Sequence, residues 1–453
     1  MNKLVRLLAL SLALILCALP CLAETAPEVT EAPAATEAPA TEPVVADPNA
    51  VMVTVNGQPI TRGEIDAIKN NLVSTYAQYG YDTTDSYFLS VMEVYALEYA
   101  IQLEIMDQKA VEWGFDKFTD EEKAAIEAEN AAYWTSLVDQ YCAYFGVTAD
   151  SDPAQVAEAR TMVISMLEAS GLSEAILLED AYESAKLERV EAEMLKDVQV
   201  SDEDVRAEYD RLVAADQEAY ANNVADYEVM TQYYGNPAYY VPEGYRGVIH
   251  ILLEVDETLL GDYQTLAAKL EEQENAADAA VVDVNAPDTL EAPVTQEAVD
   301  AAYKAVMDSV QPIVDEINKK LADGVPFEDL IVEYGADPGM EAEPNKSLGY
   351  SVHADSVIWD PVFTQAAFSV DNVGDVAEPV LGSYGVHIVK YHRDVPAGPV
   401  EFTAEVQNAI RESLLSDKEN EAFGAVMAEW TAAAEIVYSA EAQAALAVMN
   451  EAE

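Results

Sequence analysis

The 453-residue sequence contains few of the residues that crosslink chains or bind metals, with only three cysteines and four histidines. Two of the cysteines, Cys17 and Cys21, lie in an apolar N-terminal stretch that we expect to be removed. Cys142 is then the only cysteine of the mature chain, so an internal disulfide is excluded. Its position in a helical pattern is typical of a buried core residue.

Basic residues are also scarce, and their scarcity excludes two classes of partner. The chain has 23 lysines and arginines against 84 acidic residues, which gives a formal net charge of −61. A surface of this charge repels the phosphate backbone, so no nucleic acid is expected to bind. The same repulsion argues against docking on anionic lipid. We expect the charge to serve solubility, while a hydrophobic content of 51% indicates a folded chain.

Two common catalytic arrangements are missing from the sequence. His387 and His392 are five residues apart, so in a strand their side chains would point to opposite faces. Because no cysteine adds a ligand, a zinc site is not predicted. The sequence also lacks the nucleophile elbow of a serine hydrolase.

The N-terminus has the pattern of an export signal. Residues 1–23 begin with Lys3 and Arg6, continue as an apolar run and end in small residues, which predicts a cleaved signal peptide. Neither Cys17 nor Cys21 follows the small residue that a lipidation site needs, so ordinary cleavage is favoured over lipidation. Membrane association is expected only if the chain is lipidated.

The next two regions differ sharply in composition. Residues 24–50 repeat Thr, Glu, Ala and Pro, which predicts an extended, self-repelling tether rather than a core. Residues 51–243 open with a short strand and continue as amphipathic helices. Helix starts in this region are predicted by capping residues at Thr61, Thr119, Asp152, Ser173 and Ser201.

Two apolar runs further along the chain each contain a histidine. Tyr245–Glu254 includes His250, and Val386–Tyr391 includes His387. Both runs predict buried strands. Because a buried imidazole needs a polar partner, the two strands indicate a shared polar site inside a small sheet.

Five motifs in order carry a resemblance to a known family. They are IHIL, FEDLIVEYGADPG, SLGY, FTQAAFSV and VGDVAEPVLGSYGVHIVK, which fall between residues 249 and 390. The order resembles a parvulin-type peptidyl-prolyl isomerase domain, in particular that of the extracytoplasmic PrsA and SurA foldases. The opening VNGQPITRGE is similar to the start of their chaperone domain.

The resemblance implies an α+β architecture. A mostly helical chaperone domain, built from residues 51–243 and a returning C-terminal segment at 397–453, would carry an inserted parvulin domain at 244–396. That domain would be a small antiparallel sheet surrounded by helices. This sequence departs from the family by an insertion at about 258–320, for which we favour an inert surface excursion over a lid or a docking arm.

The resemblance also implies a reaction and its residues. Rotation about an X-Pro bond meets a barrier of about 18–20 kcal/mol, and because it joins no outside group we expect neither metal nor cofactor. His250 and His387 match the two family histidines, and Asp337 matches the position that faces the isomerising carbonyl. An enzyme of this kind also needs an apolar slot for the proline ring and a site that favours the twisted amide.

The slot is assigned in the same way, with some departures. Leu348, Trp359 and Phe363 match the apolar walls of the proline pocket. The glycine-rich turn before Leu348 has lost its glycines at 345–347.

A second departure falls before the last strand. Gly382 replaces a family threonine or serine, for which Ser383 or Tyr384 is expected to supply the hydroxyl. A longer loop that includes His353 is expected to reshape the pocket.

Three hypotheses remain from the sequence. The first is a foldase that isomerises X-Pro bonds in exported, unfolded polypeptides and shields them. The second is a holdase chaperone with an inactive parvulin fold. The third, a surface adhesion protein, draws only on the tether and predicts repeats or an anchor that the sequence does not show. Homodimer formation is left open.

Overall fold

The computed structural model describes residues 47–278 and 293–450. The chain forms two compact units, one reaching from the N-terminal side to Val200 and resuming at Glu412, the other comprising Ser201–Arg411. We call them the helical unit and the sheet unit. The predicted signal peptide at 1–23 and most of the predicted tether lie outside the described residues.

The strands are short except for two. In chain order they are β1 Val51–Val55, β2 Gln58–Thr61, β3 Tyr240–Val241, β4 Arg246–Leu253, β5 Tyr350–Val352, β6 Val380–Gly382, β7 Gly385–Asp394, β8 Gly398–Pro399 and β9 Ile436–Tyr438.

Helices make up most of the remaining described chain. They are α1 Arg62–Gln78, α2 Ser86–Trp113, α3 Asp120–Tyr144, α4 Pro153–Ala169, α5 Glu174–Leu195, α6 Asp202–Tyr220, α7 Val224–Glu228, α8 Glu257–Asp278, α9 Gln296–Ala322, α10 Phe327–Tyr334, α11 Asn345–Leu348, α12 Pro361–Phe368, α13 Ala404–Ala433 and α14 Ala440–Asn450. A π-helical turn, Val229–Tyr233, directly follows α7.

The predicted helix starts of the N-terminal region are confirmed. Thr61 and Thr119 each form a complete capping box with the glutamate three residues later. Asp152, Ser173 and Ser201 each accept a hydrogen bond from a backbone N–H of the following first turn, at the starts of α4, α5 and α6. These side chains satisfy N–H groups that the helix itself leaves unpaired.

The helical unit is closed by both ends of its chain. β1 lies between β2 and β9 in a three-stranded antiparallel sheet, with Val53 opposite Tyr438. Phe423 and Met427 of α13 are buried in the same core as Ile65 of α1. The C-terminal segment is therefore an integral part of this unit's core.

A helix that spans a bilayer must be both long and apolar. Among the described residues, no single helix is long and apolar enough to cross a membrane, although α4 and α5, bent by 62° at their junction, together meet these criteria of length and composition.

The sheet unit is built on one antiparallel sheet in the order β5-β4-β7-β6. Its two faces have separate cores. On one face, Ile249 and Ile251 of β4 pack with Val306, Val310 and other residues of α9. On the other, Val248 of β4 and Val389 of β7 pack with residues of α12. This arrangement confirms the predicted α+β class, with a small sheet surrounded by helices inserted into a helical unit.

The predicted insertion contributes to this core. α9 buries Val306, Val310 and Ile317 against the sheet, so the expectation of an inert surface excursion is wrong for this helix. Its apolar residues recur at helical spacing, so they form one face of the helix that can pack against the sheet. Most of the predicted acidic loop at 275–296 lies outside the described residues.

The sheet unit begins at Ser201, before the predicted domain boundary at 243/244, so residues 201–243 belong to it. β3 pairs with β8, and the Tyr209 ring lies 4.6 Å from that of Phe402. The Tyr209 hydroxyl donates to the carbonyl of Val400. The boundary at 244 remains a prediction about where the isomerase domain itself starts.

Candidate active site

The alternation of side chains along β4 and β7 brings the two histidines together. In the register of this pair, His250 is opposite Val389 and His387 is opposite Leu252, so the histidines are diagonal neighbours on one face. Their rings stack with centroids 5.1 Å apart and planes 17° apart. Their Nδ1 atoms are 3.0 Å apart, within hydrogen-bonding distance. Both side chains are buried.

Asp337 reaches this pair from the loop after α10. The backbone N–H of Ala336 donates to the carbonyl of Leu252 (2.9 Å), which fixes the loop to the end of β4. Asp337 Oδ2 then lies 2.7 Å from His250 Nε2, and Oδ1 accepts from the backbone N–H of Gly339. The hydrogen bond from His250 lowers the pKa of Asp337 to about 2, against an opposing effect of burial.

When both imidazoles are neutral, these contacts determine which nitrogen of each histidine ring carries the proton. Asp337 is ionised, so His250 donates to it from Nε2 and keeps an unprotonated Nδ1. His387 must then donate from its own Nδ1, which leaves Nε2 as an acceptor. Burial, followed by the neighbouring His250, lowers the pKa of His387 to about 4. His387 Nε2 is buried and has no hydrogen-bond partner among the described residues.

An aromatic wall adjoins the histidines. Asp360 caps α12 and Pro361 opens it, which places Phe363 in the first turn. The Phe363 ring lies 5.1 Å from His250 and 5.3 Å from His387. Trp359 lies 5.8 Å from Phe363, so these two predicted pocket residues are neighbours.

Leu348, the third predicted pocket residue, stands at the edge of this wall. It is 47% exposed and lines a groove together with Trp359. The turn that lost its glycines forms the short helix α11 and ends at Gly349, whose φ is +70°. A Cβ on Gly349 would stand 2.4 Å from the carbonyl oxygen of Val248, so glycine is required at this position.

The two residues predicted to supply a hydroxyl lie in the turn between β6 and β7. The hydroxyl and the backbone N–H of Ser383 both donate to Asp360 Oδ2 at 2.8 Å. Tyr384 is 78% exposed in the turn between β6 and β7. A Cβ on Gly382 would stand 2.9 Å from His387 Nε2, so the close approach of this ring explains the glycine.

Two residues of the site were missed in the sequence. The Tyr350 hydroxyl donates to Asp337 Oδ2 at 2.9 Å, and its ring lies 4.6 Å from that of Trp359. Asp360, the N-cap of α12, also accepts the hydrogen bond from the Ser383 hydroxyl. Tyr350 is the last residue of the SLGY motif, and that motif is the sequence signal that could have identified it. In the structure Tyr350 opens β5, which pairs with the strand that contains His250.

His353 of the longer loop lies outside this cluster. Its Nδ1 accepts from the backbone N–H of Asp355, and its ring packs against Tyr245. Among residues 47–278 and 293–450, no group of three or more His, Cys, Asp or Glu side chains could hold a metal ion.

Comparison with known families agrees with this geometry. A family model described as a PPIC-type PPIase domain (Rotamase) matches residues 294–393. Residues 294–393 are thus similar to a PPIC-type PPIase domain. The match starts after β4, so it leaves out His250, which the structure brings to the centre of the isomerase domain's sheet.

Curated relatives of the isomerase domain are foldases. Foldase protein PrsA 2 of Listeria innocua is 32% identical over 103 residues, which cover 23% of this chain and 33% of the relative. Foldase protein PrsA of Oceanobacillus iheyensis is 36% identical over 105 residues, with the same coverage. The chain thus spans about a third of the length of the curated relatives that it matches.

A solved structure was also matched along most of the chain. The crystal structure of PrsA from Bacillus subtilis is 19% identical, with coverage of 84% of this chain and 93% of that chain and a TM-score of 0.21.

Proposed function

We propose that the isomerase domain catalyses cis–trans isomerisation of X-Pro peptide bonds, and that the whole chain assists the folding of exported polypeptides as a chaperone. The observation that carries the proposal is the array of Asp337, His250 and His387 against the ring of Phe363. The predicted signal peptide supports an extracytoplasmic site of action, with unfolded polypeptides as the partners.

The array suits the electronic demands of the reaction. In a planar amide, resonance places partial negative charge on the carbonyl oxygen, and the twisted amide loses it. A carbonyl beside the ionised carboxylate of Asp337 would meet repulsion that is relieved by twisting. Phe363 and Trp359 offer an apolar surface for the proline ring and exclude water, which further favours the less dipolar twisted form.

A second candidate is a holdase without isomerase activity. The observation in its favour is Gly382, which has no hydroxyl where the family commonly has threonine or serine, while His387 Nε2 has no hydrogen-bond partner among the described residues. Neither candidate function requires a partner other than the client polypeptide, and neither depends on lipidation or on dimer formation.

The deciding experiment is a protease-coupled isomerase assay on short X-Pro peptides, using the mature chain without residues 1–23. We expect activity, and a loss of about tenfold or more in Asp337→Asn, because the neutral amide lacks the charge that repels the planar carbonyl and cannot accept at both oxygen positions. Asp262→Asn removes the same charge from an exposed position on α8 and should leave activity unchanged.

The same samples should be tested for suppression of client aggregation. Activity in the wild type with loss only in Asp337→Asn establishes the enzyme and this site. Suppressed aggregation without isomerase activity in the wild type would overturn the enzyme in favour of the holdase.

A further inference from the structure

A groove of about 640 Å³ runs along one edge of the candidate active site. Two of its residues also belong to that site: Trp359 packs against Phe363, and Tyr350 donates to Asp337. Its lining includes Tyr227, Gln232, Leu348, Tyr350, Trp359 and Arg393. A peptide whose proline lies on the aromatic wall would therefore extend into this groove.

One wall of the groove comes from outside the matched family domain. It is formed by α7 and the π-helical turn, a kind of distortion that often marks functional sites. Glu228, fully buried at the junction, accepts hydrogen bonds from the Ser356 hydroxyl (2.9 Å) and the backbone N–H of Val357 (2.8 Å). These bonds hold the wall against the loop that leads into Trp359.

The charge of the lining sets this groove apart. It contains Arg393 and no aspartate or glutamate, in a chain with 84 acidic residues. Four other cavities in the described residues are each lined by at least one carboxylate, among them Asp139, Glu93, Asp180 and Glu129. A negatively charged ligand would meet a carboxylate of the lining in each of those four cavities, whereas the charged residue that lines this groove is Arg393.

Arg393 has donors left for a ligand. Its Nε donates to the carbonyl of Leu348 (2.8 Å) and its Nη1 to the carbonyl of Asp394 (3.2 Å). Within the described part of the chain it forms no ion pair, whereas Lys390 on the same strand pairs with Glu328 at 3.0 Å. Its Nη2 is therefore left to donate to a carboxylate oxygen of a ligand.

Gln232 adds a second donor to the lining. Its Nε2 is buried and has no hydrogen-bond partner among residues 47–278 and 293–450. The lining thus contains one cation, Arg393, and the amide side chain of Gln232.

We propose that this groove is a specificity subsite for an acidic side chain, Glu or Asp, next to the isomerising proline of the client. The inference rests on the proposed isomerase function for the position of the proline. Charge-assisted hydrogen bonds to Arg393 give the preference, and no carboxylate of the lining itself opposes them.

The test compares peptides that differ only in charge. Peptides with Glu or Gln directly before the proline, and with Glu or Gln directly after it, are assayed for kcat/KM with the mature chain. Their affinity is measured in parallel by fluorescence anisotropy. We expect the Glu peptide to exceed its Gln counterpart by about three- to tenfold at one of the two positions, with the ratio falling as salt is raised.

Variants separate the charge from the scaffold. Arg393→Gln should reduce the Glu/Gln ratio to about one, and Arg393→Lys should retain part of it although the Nε bond to Leu348 is lost. Lys304→Gln removes a positive charge from an exposed position on α9 and should retain the full ratio.

The outcomes are distinct from those for the enzyme itself. Equal kcat/KM and equal affinity for Glu and Gln peptides at both positions would overturn the subsite, even if isomerase activity is high. If isomerase activity is missing, the anisotropy ratio and its loss in Arg393→Gln still decide whether the subsite exists.

Discussion

The Nδ1 atoms of His250 and His387 lie 3.0 Å apart, so one of these nitrogens must donate and the other accept. Two protonated nitrogens would repel at this distance, and two unprotonated nitrogens would leave a buried pair without its hydrogen bond. The ionised Asp337 selects the arrangement, because it requires a proton on the far side of the His250 ring. The carboxylate thus determines the tautomer of a histidine that it does not touch.

This coupling predicts a pH dependence of stability. The pKa of His387 is about 4 in the folded state, below the ordinary value of 6.5, so the unfolded chain binds the extra proton first. Stability should therefore fall as pH decreases from about 6.5 to 4, by up to about 3 kcal/mol, and this contribution should be constant below pH 4. Hydrogen exchange of β4 and β7 amides as a function of pH measures the effect.

The matched control for this prediction is His387→Gln, which cannot titrate. The loss of protection between pH 6.5 and 4 should shrink in this variant relative to the wild type. An unchanged slope would assign the dependence to other groups. Asp337 does not interfere, because its lowered pKa places the loss of its contribution between about pH 4 and 2.

Gly382 should resist substitution because of its neighbours. In Gly382→Thr, the new Cβ would stand 2.9 Å from His387 Nε2 and 3.1 Å from Asp360 Oδ2, so the ring or the helix cap must shift. We expect a loss of about 1–3 kcal/mol in the free energy of unfolding. Chemical denaturation followed by fluorescence measures it.

Gly261 of α8 provides the comparison, because a Cβ there meets no atom within 4 Å. Gly261→Ala should be neutral or stabilising by about 0.5–1 kcal/mol, as expected for glycine in a helix. A Gly382→Thr protein as stable as the wild type would show that the site can accept the family's hydroxyl.

Tyr350 should tune the carboxylate of the site. Its hydroxyl donates to Asp337 Oδ2, and this bond contributes to the lowered pKa of that carboxyl. Tyr350→Phe should therefore raise the pKa of Asp337 from about 2 toward its ordinary value and cost about 0.5–1.5 kcal/mol in stability. Carbon-13 NMR titration of the carboxyl group is the direct measurement.

Tyr334→Phe is a suitable control for this tyrosine. The Tyr334 hydroxyl accepts from Lys320 at 2.6 Å, and it has no bond to Asp337. The pKa of Asp337 should stay low in this variant. A shift of equal size in both variants would mean that Tyr350 acts through general packing and not through its hydrogen bond.

Local chemistry made much of the fold predictable. Capping residues located the helices, because a side-chain oxygen and a backbone N–H four residues or fewer apart need no tertiary information. The apolar runs that became β4 and β7 placed both histidines in buried strands. Asp337 joined them only through the family resemblance, since it lies 87 residues from His250 and its loop has no periodicity of its own.

Other features depended on contacts that no local pattern encodes. The burial of α9 against Ile249 and Ile251 requires knowledge of which face of the sheet is open. The same holds for Glu228, a buried carboxylate whose donors lie on a loop 128 and 129 residues further along the chain. Arg393 could not be distinguished in the sequence from any other exposed strand residue.

The pairing of β1 with β9 has a consequence for the order of folding if the chain is exported as proposed. A chain that crosses a membrane from its N-terminus delivers β1 before β9. The three-stranded sheet and the core that contains Phe423 can therefore close only after Ser201–Arg411 has already been delivered. All four strands of the β5-β4-β7-β6 sheet are therefore available before the helical unit can complete its own sheet.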